Sequence, residues 1–163
     1  MITAIVLPAD MAQPIRQQQV EPSDLKTYWE LVDGHLEVVD LFRPSASLYI
    51  NEEGKLNDLP LNQRATVITW VHNSDFCGQH LILGDAFIVG PIDDNGDDLT
   101  VPEELVKLLF ETPSYRVAVK TTGSSQWNGD QLRWDNWLEA YMYAIDLAQR
   151  WKQIQEVRVV AAT

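Results

Sequence analysis

From Asp135 to about Ile154 apolar residues recur at helical spacing, and no other segment constrains the fold as much. At about 100° per residue, Trp137, Leu138, Ala140, Tyr141, Ala144, Ile145, Leu147, Ala148 and Trp151 fall on one half of the helix. Glu139, Asp146, Gln149, Arg150 and Gln153 fall on the other. A helix written this way has to bury one face, and the flanking segments supply the surface. Tyr115, Val117 and Val119 alternate with Arg116, Ala118 and Lys120, the period of a half-buried strand. A shorter strand is expected at Gln131–Trp134 after a tight turn at Asn128-Gly129, and Val157 and Val159 alternate with Arg158 in a closing strand. Asp135 is the expected N-cap, with Glu139 near the start of the helix and Arg150 and Lys152 near its end, as the helix dipole favours.

The expectation for residues 113–163 is therefore a ββαβ unit, one long helix packed on a three-stranded sheet. Alanines at 140, 144 and 148 beside Trp137, Tyr141 and Trp151 read as core packing. A platform for stacking bases would instead need rings exposed on a sheet among basic residues. Arg116, Lys120, Arg133 and Arg158 make the opposite sheet face mildly basic.

The boundary before this unit falls at Thr112-Pro113-Ser114, because proline disfavours helix at the residue preceding it and VPEELVKLLFE reads as a helix. Residues 1–112 read as an acidic α+β domain, so that the whole chain is α+β. ITAIVL is a first strand, PSDLKTYWELV a short helix, and HLEVVDLF and SLYIN two further strands. NQRATVITWV fits a helix or a strand equally well. LILGDAFIVGPI is a strand pair or one strand kinked at Gly84-Asp85, and the glutamines at 17–19 suggest a polar loop.

Charge narrows the functions. Of 24 acidic residues 19 precede Pro113, against 6 of the 12 basic ones, so the net charge of −12 belongs to the first domain. Such a domain repels a phosphate backbone, which makes direct nucleic-acid binding unexpected there. No apolar run approaches the roughly 20 residues that span a bilayer, and MITAIVLPAD has no basic residue ahead of its short apolar stretch, so a soluble, unprocessed cytoplasmic protein is expected. Cys77 has no second cysteine to pair with. His72 and His80 flank it, but a catalytic thiol needs a base oriented toward it, and catalysis is not expected.

Three constellations are candidates for chemistry. Asn51, Glu52, Glu53, Lys55 and Arg64 gather polar groups around Gly54 and form the candidate recognition patch. Asp93, Asp94, Asp97, Asp98, Glu103 and Glu104 form an acidic patch. Reading Asp93 as the first position of a calcium loop puts Asp98 at the sixth, where glycine is required for the turn, so the run reads better as a solvated turn about Asn95-Gly96. His35 with Glu37, and His72 with Asp75 and His80, are too scattered for a metal site. No cofactor is expected, since the chain has no phosphate-cradling loop, dinucleotide fingerprint or serine-nucleophile motif.

Residues 31 to about 98 resemble the family catalogued as domain of unknown function 3846. The matching pieces are LVDGHLEVV, LYINEEGKLNDLPLNQRAT and GDAFIVG with its acidic turn. Asn51, Glu52, Gly54, Leu56, Pro60, Asn62 and Arg64 carry the specific part. The resemblance implies a small α+β domain common on phages and conjugative elements, beside anti-restriction and other accessory genes, and it implies no catalytic residues. The tail is similar to a module recurrent in phages of actinobacteria, through Trp127, Gly129, Leu132, Arg133, Ala140, Tyr143, Ala144, Leu147, Arg150, Trp151, Arg158, Val159 and Val160. Together these imply a non-enzymatic accessory protein of a phage or mobile element that binds a host protein in the host cytoplasm. The alternative is counter-defence, by mimicking DNA or by sequestering a nucleotide signal.

Overall fold

Alternation along two central strands organises the first part of the molecule, seen in a computed structural model that describes residues 1–162. In β1 (Ile2–Leu7) and β5 (Ala86–Val89), Ile5, Leu7, Ala86 and Ile88 point to one face, and Ala4, Val6, Phe87 and Val89 to the other. Both faces are covered. A five-stranded antiparallel sheet runs in the order β2-β1-β5-β4-β3, with β2 (Arg16–Val20), β3 (Leu36–Leu41) and β4 (Ala46–Asn51) completing it. Helix α1 (Leu25–Val32) covers one face, where Tyr28 and Val32 meet Phe87 and Val89.

On the opposite face lies α2 (Gln63–His72), buried on nearly every side. That burial is why periodicity does not settle NQRATVITWV: a helix enclosed all round has no polar stripe. Its threonines are satisfied within the helix, Thr66 and Thr69 donating to the carbonyls of Asn62 and Ala65 at 2.7 Å each. The glutamines at 17–19, read as a loop, form β2 instead. Gln17 and Gln19 pair with Ile5 and Thr3, and a polar strand at an exposed sheet edge resists further pairing.

The second part is α+β as expected, with its details shifted. Strands β6 (Tyr115–Thr121) and β8 (Ile154–Ala161) share a three-stranded antiparallel sheet in the order β7-β6-β8. The short strand β7 is Asn128–Gly129 itself, not Gln131–Trp134, and only Trp134 of the latter segment bridges back, to Tyr115. A Cβ on Gly129 would stand 3.1 Å from the Val117 carbonyl, so glycine allows a close approach where a turn was expected. Asp130 then ends the strand by accepting from the Leu132 amide at 3.0 Å.

Helix α4 (Trp137–Arg150) is capped by Asn136, which accepts from Leu138 and Glu139, rather than by Asp135. It stops short of Ile154, which already belongs to β8. Trp151 adopts an extended conformation as C-cap and therefore leaves the apolar stripe for solvent. Ala140, Tyr141, Ala144, Ile145 and Leu147 are buried. They join Ile5, Leu48, Ile68 and Ile88 of the first part and Val117, Val157 and Val159 of the second in one continuous core, with α4 packed against α2. A helix α3 (Glu103–Val106) running into a π-helical turn, Lys107–Glu111, links the two parts. No helix among the described residues is long and apolar enough to cross a membrane.

Candidate functional site

The stretch after β4 turns sharply because Asn51 holds it. Its amide donates to the carbonyls of Val32 and Asp33 at 3.1 and 3.0 Å, closing the end of α1, and its oxygen accepts from the Glu53 amide at 2.7 Å. Gly54 packs where a Cβ would meet Leu83 at 3.2 Å. The turn is thereby pinned, and Glu52, Glu53 and Lys55 stand on its exposed outer side. They line a groove of about 510 Å³ between this turn, the outer strand β3 and the segment Phe76–Leu83, floored by Val39, Ile50 and Ile82. Leu56 (84% exposed), Leu81 (54%) and Val38 (47%) give the groove an apolar rim, and Glu37 adds a third carboxylate. One signal in the sequence pointed here, a leucine standing alone among charged residues in EEGKLND.

Arg64 is not part of this patch. It is buried, and its Nη2 donates to the carbonyls of Pro8, Asp10 and Gln13 at 2.8, 3.1 and 2.7 Å, pinning the loop between β1 and β2. Desolvation pushes its pKa down. Asn62, another residue behind the family resemblance, is equally internal. It caps α2 through the Ala65 amide and donates to the carbonyls of Leu7 and Gly84 at 2.8 and 2.9 Å. Arg64→Ala is therefore expected to cost about 2–3 kcal/mol of stability, because three inward-facing carbonyls lose a charged donor. A denaturant melt together with faster proteolysis between Pro8 and Ile15 would check this, and an unchanged melt would mean the carbonyls find water instead.

The acidic patch is also divided. Asp98 is 3% exposed and accepts from the hydroxyls of Tyr28 and Tyr49 at 2.9 and 3.0 Å. Burial first, and then the Asp98 carboxylate, raise the pKa of Tyr49; burial is also the chief cause for Tyr28. Asp93 closes its own turn by accepting from the amides of Asn95 and Asp97. Asp94, Asp97, Glu103 and Glu104 remain on the surface.

The histidines diverge. His35 is exposed and stacks on Trp29 with centroids 5.6 Å apart, and His80 lies on the groove rim beside Phe76. His72 is buried between the two parts of the molecule. The Phe42 carbonyl, 3.0 Å from Nδ1, can only accept, so Nδ1 carries the proton and Nε2 accepts from the Tyr141 hydroxyl at 2.7 Å. Desolvation lowers the His72 pKa to about 4 and raises that of the Cys77 thiol, so this imidazole is neutral and the thiol protonated near neutrality. Among the described residues no three His, Cys, Asp or Glu side chains converge as metal ligands.

No curated protein and no solved structure matches this chain. The family model described as "Domain of unknown function (DUF3846)" matches residues 2–114, wider than the 31–98 span of the resemblance. The match takes in β1, β2 and the π-helical turn and ends one residue before β6. Because it covers more than half of the chain, the protein belongs to the DUF3846 family.

Proposed function

We propose that this protein acts without catalysis, as an accessory factor of a phage or other mobile element that binds a host protein in the host cytoplasm. The groove beside β3 carries the reading. It sets exposed Leu56, Leu81 and Val38 beside a strand paired on one side only, with Glu37, Glu52 and Glu53 around it and Lys55 as the single cation of its lining. Exposed apolar side chains around a concave surface mark recognition sites, and an open strand edge takes up an extended segment by main-chain hydrogen bonding. The three carboxylates select a partner segment that is basic as well as apolar. The phage setting rests on the resemblance, read from the residues of the tail alone, to a module recurrent in actinobacterial phages. DNA mimicry is less well supported, since the burial of Asp98 interrupts the one dense row of carboxylates.

The test uses two baits in host lysate at low and high salt, the wild-type protein and a Glu52→Lys/Glu53→Lys/Leu56→Ser variant with the same melting temperature. The expected result is a partner held by the wild type, only partly released by salt, and recovered at least tenfold less on the variant. Identical captures on both baits would refute the groove. A DNA-binding protein released by modest salt, and lost on neutralising Asp94, Asp97 and Glu103, would replace this reading with mimicry.

A further inference from the structure

A second cavity, of about 580 Å³, opens where β8 faces α3 and the π-helical turn. It is a seam between the two parts of the chain. Arg43 comes from the loop after β3, Lys107 from the π-helical turn, Trp127 from the segment just before β7 and Arg158 from β8. Strand alternation explains the last of these: Arg158 pairs with Ala118 and points away from α4, on the face shared by Arg116, Lys120 and Glu156. Trp127 lies against that face. Its ring centroid is 4.3 Å from the Arg158 guanidinium, 5.3 Å from Lys120 Nζ and 5.6 Å from the Arg43 guanidinium.

Three cations gathered on one indole repel one another, and the carboxylate nearest them is shared. Glu156 reaches Arg43 Nε at 3.8 Å and Lys120 Nζ at 3.5 Å. Arg43 is occupied further, donating to the carbonyls of Val71 and Val157. Arg158 is different. Its Nε is buried without a hydrogen-bond partner, and no carboxylate among the described residues forms an ion pair with it. Lys107 adds charge at the other wall, partly offset by Glu103 at 3.2 Å and by Glu104 in the lining. His72, at the base, is neutral near pH 7 and contributes no charge. The rest of the lining is mostly apolar, with Pro44, Leu108 and Val160 part-exposed and Leu105 and Val159 buried behind them. A locally positive, part-apolar cavity in a chain of net charge −12 is not explained by solubility.

We infer that this seam binds a small nucleotide, its phosphate held by Arg158 and its base lying along Leu108 and Val160. A guanidinium fork matches phosphate oxygens, and the volume falls within the few hundred to about a thousand Å³ typical of such ligands. A free mononucleotide suits the site better than a nucleic acid, whose length would lay further phosphates against the acidic first domain. The site is separate from the β3 groove, and it gives nucleotide sequestration a location.

The experiment is calorimetric titration of the full chain with AMP, GMP, ADP, inorganic phosphate and a short oligothymidylate. The expected result is saturable one-to-one binding of at least one nucleotide, tighter than phosphate by tenfold or more. Arg158→Gln should weaken it at least tenfold at an unchanged melting temperature, Arg158→Lys less, and the Glu52→Lys/Glu53→Lys/Leu56→Ser groove variant not at all. Absence of nucleotide binding up to millimolar concentration, phosphate binding as tightly, the oligonucleotide binding more tightly, or Arg158→Gln binding like wild type would each overturn the assignment. None of these outcomes bears on the groove.

Discussion

Replacing Ala144 by aspartate is expected to unfold the molecule from Ile5 to Val159 in one step. Ala144 has no solvent exposure and belongs to the core that runs from α2 and the five-stranded sheet through α4 to β6 and β8. An aspartate there either ionises without a partner or binds a proton at the expense of folding, and either way the cost is on the order of 4–5 kcal/mol. Total stabilities of single domains are about 5–15 kcal/mol, so little would remain. Ala144→Gly, which loses helix propensity and one buried methyl group, should cost only about 2 kcal/mol. Hydrogen exchange separates the possibilities: the amides of β1 and β5 should lose protection together with those of α4. Protection retained in β1 and β5 while α4 exchanges freely would mean that the two parts fold independently.

Stability is expected to fall steeply on mild acidification, by about 1.4 kcal/mol per pH unit below 6.5 from His72 alone. The sign follows from where the proton binds. With a native pKa of about 4 against an ordinary value of 6.5, the unfolded chain takes up a proton through that window while the folded chain does not, so acid favours unfolding. Above pH 6.5 both states are neutral and the effect vanishes; across the whole window it reaches about 3 kcal/mol. Protonated Nε2 would also confront the Tyr141 hydroxyl donor to which it is bonded, loosening the contact of α2 with α4. Denaturant melts at pH 7.0, 6.0 and 5.0 on the wild type and on His72→Gln measure this. The variant should start less stable and show a shallower slope, and parallel slopes would assign the acid sensitivity to other groups.

Elements with one wet and one dry face show their period in the sequence, whereas β1, dry on both faces, is legible only as an unbroken apolar run. The strand at Tyr115–Thr121 and the helix after Asn136 alternate visibly because water and core impose opposite residues on opposite sides. Helix α2 hides because nearly all of it is dry, and β2 hides because its glutamines are wet, so that its identity comes from hydrogen bonds to β1 rather than from side chains. The candidate site divides along similar lines. A stretch such as NEEGKLND announces polarity, but it does not say which side chains turn inward, and Asn51 and Arg64 spend their polarity on buried carbonyls. Trp127 and Arg158 could be seen individually. Their meeting with Arg43 depends on the packing of the two parts of the chain, for which no local pattern exists.

The order β2-β1-β5-β4-β3 has a consequence for how the chain is made. On the ribosome, β1 and β2 emerge early and can pair as a hairpin, yet β1 is completed on its other side only by β5. Everything from Glu21 to Asp85 has to be translated first, roughly 3 to 13 seconds at about 5–20 residues per second. For that interval one edge of β1 lies bare, and until Gln63–His72 are made Ile5 and Leu7 also have no α2 beneath them. The nascent chain is therefore most open to chaperones, and to pairing with neighbouring copies on a polysome, before Ala86–Val89 arrive.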